Sequence, residues 1–364
     1  MQRLTRLKPT AVICPWAVVV LLSGQGCATA KPSYTSSYGT LKQAASASGR
    51  LVGSEVEAEL LRSDAAYAAV VKREFNVIVP QNEMKFGWVN KDRSWYDFSD
   101  ADTIVKFAQK NGMKVRGTTL AWHRNYPDWL KEGSFTGDEL REILLNHIRV
   151  EVTHFRSNFP GRVFAWDVVN EAFDKDGKLR DEMIWSRIGN SSGDYIPLAF
   201  KTAKDADPGA EMFYNDFNTE ELNQKSDAVY ALLLSLKSAG VPVDGVGFQM
   251  HLDYREKLDM DSVRKNMERF TKLGLKIQIT EFDYLLPESP SESLLEREAK
   301  AYHDFAALCV SIPACEAFVS WGFTDAHSWI PEFFSGYGSA LYFDEQYGPK
   351  RAYAGLLSGL GPER

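Results

Sequence analysis

Trp166-Asp167-Val168-Val169-Asn170-Glu171-Ala172 and Ile277-Gln278-Ile279-Thr280-Glu281-Phe282-Asp283 are two runs rich in Val and Ile, and each arrives at a carboxylate. β-Branched residues favour strands, and a carboxylate just past a buried strand sits where an α/β barrel builds its active site. Two such groups from different strands are the minimum equipment for splitting a glycosidic bond. Either segment alone also reads as an ordinary loop acid at a strand end. Together, with Asn170 before the first acid, they point to an enzyme.

On either side of these runs, strand-like stretches recur at Leu51–Ser54, Asn76–Val79, Lys114–Thr118, Arg162–Val169, Met212–Asn215, Gly245–Gln249, Lys276–Thr280 and Ala317–Trp321. Helical stretches separate them. One opens on Thr136-Gly137-Asp138-Glu139, a capping box, and continues with Leu140, Ile143, Leu144 and Ile148 on one face. Strands alternating with helices indicate a parallel sheet. Eight such units predict a closed (β/α)8 TIM barrel, one α/β catalytic domain over residues 49–364.

The preceding residues read differently. Arg3, Arg6 and Lys8 precede the apolar stretch Ala11–Leu22, and Ala28-Thr29-Ala30 offers a small-x-small cleavage pattern, so residues 1–30 are expected to be a secretory signal. The 12 apolar residues are too few to span a bilayer. Cys27 after Leu22-Ser23-Gly24-Gln25-Gly26 leaves a second reading, a lipid-anchored cell-surface protein. Residues 31–48, rich in Ser, Ala and Thr, are expected to form a tether.

The formal net charge is −7 and no long basic block appears, which argues against nucleic acid as a partner. An acidic surface suits a neutral polymer and would repel polyanions. The six histidines show no ligand spacing, so no metal and no cofactor are expected. His147 and His154 read as surface or core residues of a helix. Cys309 and Cys315, six positions apart, read either as a short disulfide loop in a secreted chain or as two buried thiols.

The segments just past the proposed strands are polar and aromatic. The second strand leads into Gln81-Asn82-Glu83-Met84-Lys85-Phe86, the third into Trp122-His123-Arg124-Asn125, and the fifth into Asn215-Asp216-Phe217-Asn218. The sixth supplies Gln249-Met250-His251 and the eighth Trp321 to Trp329. Amides and carboxylates can hydrogen-bond sugar hydroxyls, while Trp faces stack on sugar C–H surfaces. Trp166, inside a strand, is expected to fill the core. Trp321 and Trp329, at or beyond a strand end, suit a sugar platform.

These residues carry a resemblance. From about residue 50 to about residue 357 the chain resembles the catalytic domain of glycoside hydrolase family 10, the endo-β-1,4-xylanases. The segments that carry it are Trp166–Ala172, Ile279–Asp283, Tyr214–Asn218, Gly245–His251 and Trp321–Trp329. The resemblance implies an endo-1,4-β-xylanase that retains configuration by double displacement, with Glu281 as nucleophile and Glu171 as acid and then base; with the signal segment, a secreted monomer is expected. It implies that His251 bonds Glu281 with Asp283 behind it, and that Asn170 binds the 2-hydroxyl of the sugar being cleaved. Gln81, Asn82 and Lys85 would grip the adjacent sugar on the non-reducing side. Trp122, His123, Asn125, Tyr214, Gln249, Trp321 and Trp329 would line the substrate groove. The Cys309–Cys315 pair resembles a disulfide of secreted members.

The sequence departs from the family pattern at four places. Gln81 stands for the usual Glu, Thr118 for His, Asn125 for Gln, and Phe86 for a common Trp. Asn125 and Thr118 are expected to widen the space beside the cleaved sugar. Two alternatives stay open: a mixed β-1,4-glucanase/xylanase, and a non-catalytic glycan-binding barrel, whose expected mark is the loss of one glutamate.

Overall fold

The computed structural model describes residues 34–362. The expected signal segment and Cys27 lie outside them. Eight strands alternate with helices: β1 (Leu51–Val56), β2 (Val77–Pro80), β3 (Lys114–Ala121), β4 (Val163–Asn170), β5 (Glu211–Asp216), β6 (Gly245–Phe248), β7 (Lys276–Pro287) and β8 (Cys315–Ser320). Each pairs in parallel with its sequence neighbour, and β8 pairs with β1, for example Leu51 with Ala317. The sheet therefore closes into the expected (β/α)8 barrel. Among the described residues no helix is long and apolar enough to cross a membrane.

Strand alternation sorts side chains between two cores. Val52, Trp166, Met212, Tyr214 and Phe248 face outward and join one large cluster with the surrounding helices. Val77, Val79, Ala317 and Val319 form a separate small cluster, with Leu51, Phe164 and Trp321 against it. The interior also holds a buried Arg116–Asp167 ion pair, and Arg116 Nη1 donates to Gln278 Oε1 at 2.6 Å. Gly245 and Gly247 of β6 make room there: added Cβ atoms would come within 2.2 Å of the Phe213 ring and 2.3 Å of Asn215 Oδ1.

The helix Gly137–Asn158 begins with the expected capping box, and Leu140, Leu144 and Ile148 are buried. His147 is buried on the same helix and stacks on Phe86 at 3.7 Å between ring centroids. His154 bonds Asp102 at 2.7 Å. Cys309 and Cys315 form a disulfide where the helix Glu292–Ser311 turns into β8.

Two boundaries differ from the sequence reading. The tether does not extend to Ser48: Leu41–Ala47 is a helix capped by the Thr40 side chain, with Leu41, Ala44 and Ala45 buried. It packs on β1 and on the C-terminal helix Arg351–Leu360. Two of its three buried residues are alanines, so its apolar stripe is faint in composition. Strand β7 runs to Pro287 rather than stopping at Thr280, because its outer half pairs with short strands His251–Asp253 and Tyr337–Gly338. Glu281 therefore lies within a strand, at a register shift against β8 between Ile279 and Phe282. Such a bulge re-aims a side chain.

Candidate active site

Glu171 and Glu281 lie at the C-terminal mouth of the barrel, each only 8% exposed, open enough to meet substrate yet largely out of water. Glu171 follows β4 with a left-handed backbone (φ 54°), uncommon for a residue with a side chain and found where function demands it. Its N–H donates to Asn215 C=O at 2.9 Å, and Arg180 Nε donates to its own C=O at 3.0 Å. Next in the chain, Ala172 N–H donates to the Tyr214 hydroxyl (3.2 Å), which donates to Asp216 Oδ2 at 2.6 Å. Burial pushes Asp216 up to about 6, against the pull of Lys225, whose Nζ lies 2.7 Å from Oδ1.

The carboxyl of Glu281 accepts from Asn215 Nδ2 at 2.7 Å, and its other oxygen lies 3.1 Å from His251 Nε2. The far nitrogen of His251 lies 2.9 Å from Asp283 Oδ2, which also accepts from Trp329 Nε1 at 2.8 Å. Burial works against a charged imidazole here. The Asp283 carboxylate and Glu281 outweigh it and hold His251 well above its ordinary value. The ring is therefore a cation at neutral pH, donating to a carboxylate on each side.

Around Glu171 the arrangement is different. Asn170 Nδ2 and Gln249 Nε2 donate to its Oε1 at 3.2 and 3.1 Å. His123 Nδ1 is 3.7 Å from Oε2. Burial pushes His123 down to about 4, Glu171 opposing and Arg180 and Arg124 adding to the fall. Arg124 Nε donates to His123 Nε2 at 3.1 Å, which leaves the ring proton on Nδ1, toward Glu171. The two glutamates are joined by amides: Asn170 Oδ1 accepts from Asn215 at 2.9 Å and from Gln249 at 3.3 Å.

Beside this pair runs a polar row after β2. Lys85 Nζ donates to Asn82 Oδ1 (2.9 Å), Asn82 Nδ2 to Gln81 Oε1 (2.7 Å), and Gln81 Nε2 to Glu55 Oε1 (3.3 Å). The ammonium of Lys85 lies 5.2 Å from the Trp122 ring and 5.6 Å from the Trp321 ring. Burial lowers the Lys85 ammonium, while Glu281, Glu55 and Glu171 hold it up. Burial also pushes Glu55, near the end of β1, up to about 8.

The structure thus brings together Glu171, Glu281, Asn170, His251, Asp283, Gln249, His123 and Trp329, and beside them Gln81, Asn82, Lys85, Trp122 and Trp321. Tyr214 does not line the groove. It is buried on the outer face of β5, where its hydroxyl supports the backbone after Glu171. Asn125 packs against Gly87 beside the row after β2. Its backbone φ is 54°, its C=O accepts from Gly87 N–H at 2.7 Å, and a Cβ on Gly87 would meet its Oδ1 at 2.7 Å.

Two residues received no role in the sequence reading. Asn215 bonds Glu281 and Asn170, and the alternation that puts Tyr214 outside puts it inside. Glu55 lies one residue past the expected end of the first strand, where the rule that found Glu171 would have found it.

Comparisons with known proteins agree with this geometry. Residues 40–358 match the family Glycosyl hydrolase family 10. The chain is 46% identical over 288 residues to endo-1,4-beta-xylanase B of Thermotoga neapolitana, covering 79% of this chain and 81% of that protein. It is similar to the crystal structure of native xylanase 10B from Thermotoga maritima, at 44% identity and a TM-score of 0.84, covering 88% of this chain and 98% of that one. Xylanase 10B from Thermotoga petrophila RKU-1, solved with xylobiose, is similar at 42% identity and a TM-score of 0.84, covering 90% and 98%.

Proposed function

The chain belongs to glycosyl hydrolase family 10, and from that premise we propose that it is an endo-1,4-β-xylanase cutting internal bonds of xylan. Support for xylan comes from the relatives named endo-1,4-beta-xylanases and from the xylobiose-bound neighbour. In the proposed double displacement Glu281 attacks the anomeric carbon while Glu171 gives its proton to the leaving oxygen. Water then enters, Glu171 takes its proton, and Glu281 leaves with configuration retained. The observation that carries these roles is the unlike pair of imidazoles. A cationic donor at 3.1 Å stabilises the anion that Glu281 must be. Glu171 has no imidazolium bonded to it: its neighbours are the His123 ring at 3.7 Å and two amide donors.

Asn170 Nδ2 donates to Glu171, and its carbonyl is held by Asn215 and Gln249. So fixed, the amide is set to meet the sugar 2-hydroxyl, a contact that strengthens in the oxocarbenium-like transition state. We also propose that the protein works outside the cell: the disulfide suits an oxidising compartment and accords with the expected signal segment. The test is purified mature protein on xylan, cellulose and mixed-linkage glucan, with products sized by chromatography. A ladder of xylo-oligosaccharides from xylan supports the reading. Equal or greater turnover of the glucans would overturn it.

A further inference from the structure

We infer that Glu55 is a positioning residue of the non-reducing-side groove, holding the Gln81–Asn82–Lys85 row in the one hydrogen-bond direction that presents it to a sugar. The inference rests on the reading of Asn82 and Lys85 as sugar-gripping residues. Glu55 itself is buried, and Gly322 after β8 covers it, since a Cβ there would lie 3.6 Å from Oε1. Its Oε2 is buried with no partner among the described residues. The carboxyl is therefore tied by a single side-chain bond, the one from Gln81.

The direction of the row is set by what each group can do. An ammonium only donates, so Lys85 fixes Asn82 with its carbonyl oxygen inward and its NH2 toward Gln81. Gln81 must then accept with Oε1, which leaves its NH2 facing β1. Donors turned toward the buried floor of the groove need an acceptor there. Glu55, aligned with Val79 of β2 one layer below, supplies it. A carboxyl is also the residue type that the family resemblance leads one to expect at position 81. Here it stands one strand over, with an amide at 81 in between.

The titratable groups facing Glu55 are Glu57 past the end of its own strand, Glu83 and Lys85 after β2, and Tyr67 on the helix Ala65–Glu74. Burial, followed by Glu57, raises it; the Gln81 bond and Lys85 oppose that rise, and the balance is about 8. Above that pH the carboxylate holds Gln81 more strongly and favours the charged Lys85. Grip on a non-reducing-side sugar should therefore tighten as pH rises through this range, until Lys85, whose ammonium burial lowers, gives up its proton.

The test compares kcat and KM for an aryl β-xylobioside, which occupies that sugar position, with an aryl β-xyloside, which does not. In Glu55→Ala, kcat/KM for the xylobioside should fall about tenfold, the worth of one buried hydrogen bond, mostly through KM. The xyloside should be nearly unaffected. Glu55→Gln keeps an acceptor and should recover most of the loss near neutral pH, but its KM should not vary through pH 8. Gln81→Glu sets two carboxyls face to face and should be impaired; Glu55→Gln/Gln81→Glu should restore it. Equal losses on both substrates in Glu55→Ala, or no rescue in the double variant, would overturn the inference while leaving the xylanase reading intact. Wild-type enzyme that turns over the xyloside and xylobioside with equal kcat/KM would overturn the sugar-grip reading and the inference with it.

Discussion

Glu281 and Glu171 occupy the same cleft with the same burial, yet their histidine neighbours are opposites. His251, between two carboxylates, is held well above its ordinary value, whereas His123, buried with arginines nearby, is pushed down to about 4. One glutamate faces a cation and the other a neutral ring. The supports differ as well. Glu281 sits within a long strand, with its partners on the short strand His251–Asp253 and on β5 two strands away, while Glu171 stands on a left-handed residue braced by Arg180 and the Tyr214 hydroxyl. Two identical side chains thus acquire separate chemical roles from what surrounds them, the general way in which acid and base are told apart at one pH.

The contrast can be broken most severely at Glu281. Glu281→Ala should lower kcat on the order of 10⁵-fold or more on every substrate, because no group replaces the nucleophile. Glu171→Ala should lose about 10²–10⁴-fold on xylan, the worth of general acid–base catalysis. It should lose far less in the first step on aryl glycosides whose leaving groups need no proton. Steady-state and pre-steady-state kinetics on xylan and on a dinitrophenyl xylobioside separate the two. Equal losses on both substrates in both variants would erase the distinction.

Next in size is the cation itself. His251→Asn keeps a donor but removes the charge, so kcat/KM should fall about 10–100-fold, the worth of one to two pK units of charge interaction. Below the raised value of His251 the imidazolium favours the anionic carboxyl facing it. Without it the acidic limb of activity should move up by about one unit. A pH–rate profile checks this, and an unmoved limb would mean that the charge of His251 does not act on the nucleophile.

Much of this contrast was legible beforehand, and unevenly so. Short strand-like stretches alternating with helical ones located all eight strands, and the acids ending two of them located the mouth. Charge states were not legible, since they depend on which carboxylates and guanidiniums lie beside each ring in space. Tyr214 and Asn215 show the other limit: both look apt for a sugar site, and only the register of β5 decides which one enters the barrel. Leu41–Ala47 hid because alanine contributes little to an apolar pattern. The left-handed backbone of Asn125 could not be read either.

A smaller effect should sharpen the Glu171 side. Tyr214→Phe removes the donor to buried Asp216 and the acceptor for Ala172 N–H. It should cost about 2 kcal/mol in denaturant unfolding and alter kcat on xylan more than on activated aryl glycosides. An equal change on both would assign Tyr214 to stability alone. The disulfide provides the complement, for β8 begins at Cys315, the end of the barrel away from the mouth. In the chain-entropy description so short a loop contributes roughly 2 kcal/mol. Cys309→Ala/Cys315→Ala should therefore unfold more easily with kcat unchanged. A lowered kcat at a temperature where the variant stays folded would contradict that separation.

The most direct test uses azide and the anomeric configuration of its product. Glu171→Ala, given an aryl β-xylobioside with a good leaving group, should form its glycosyl-enzyme on Glu281 and wait for a nucleophile. Azide should then raise turnover and yield the β-glycosyl azide, identified by NMR. Glu281→Ala should instead give, if azide fills the vacated space, only the α-glycosyl azide. No rescue of Glu171→Ala, or an α-azide from it, would contradict the assignment of Glu281 as nucleophile and Glu171 as acid/base.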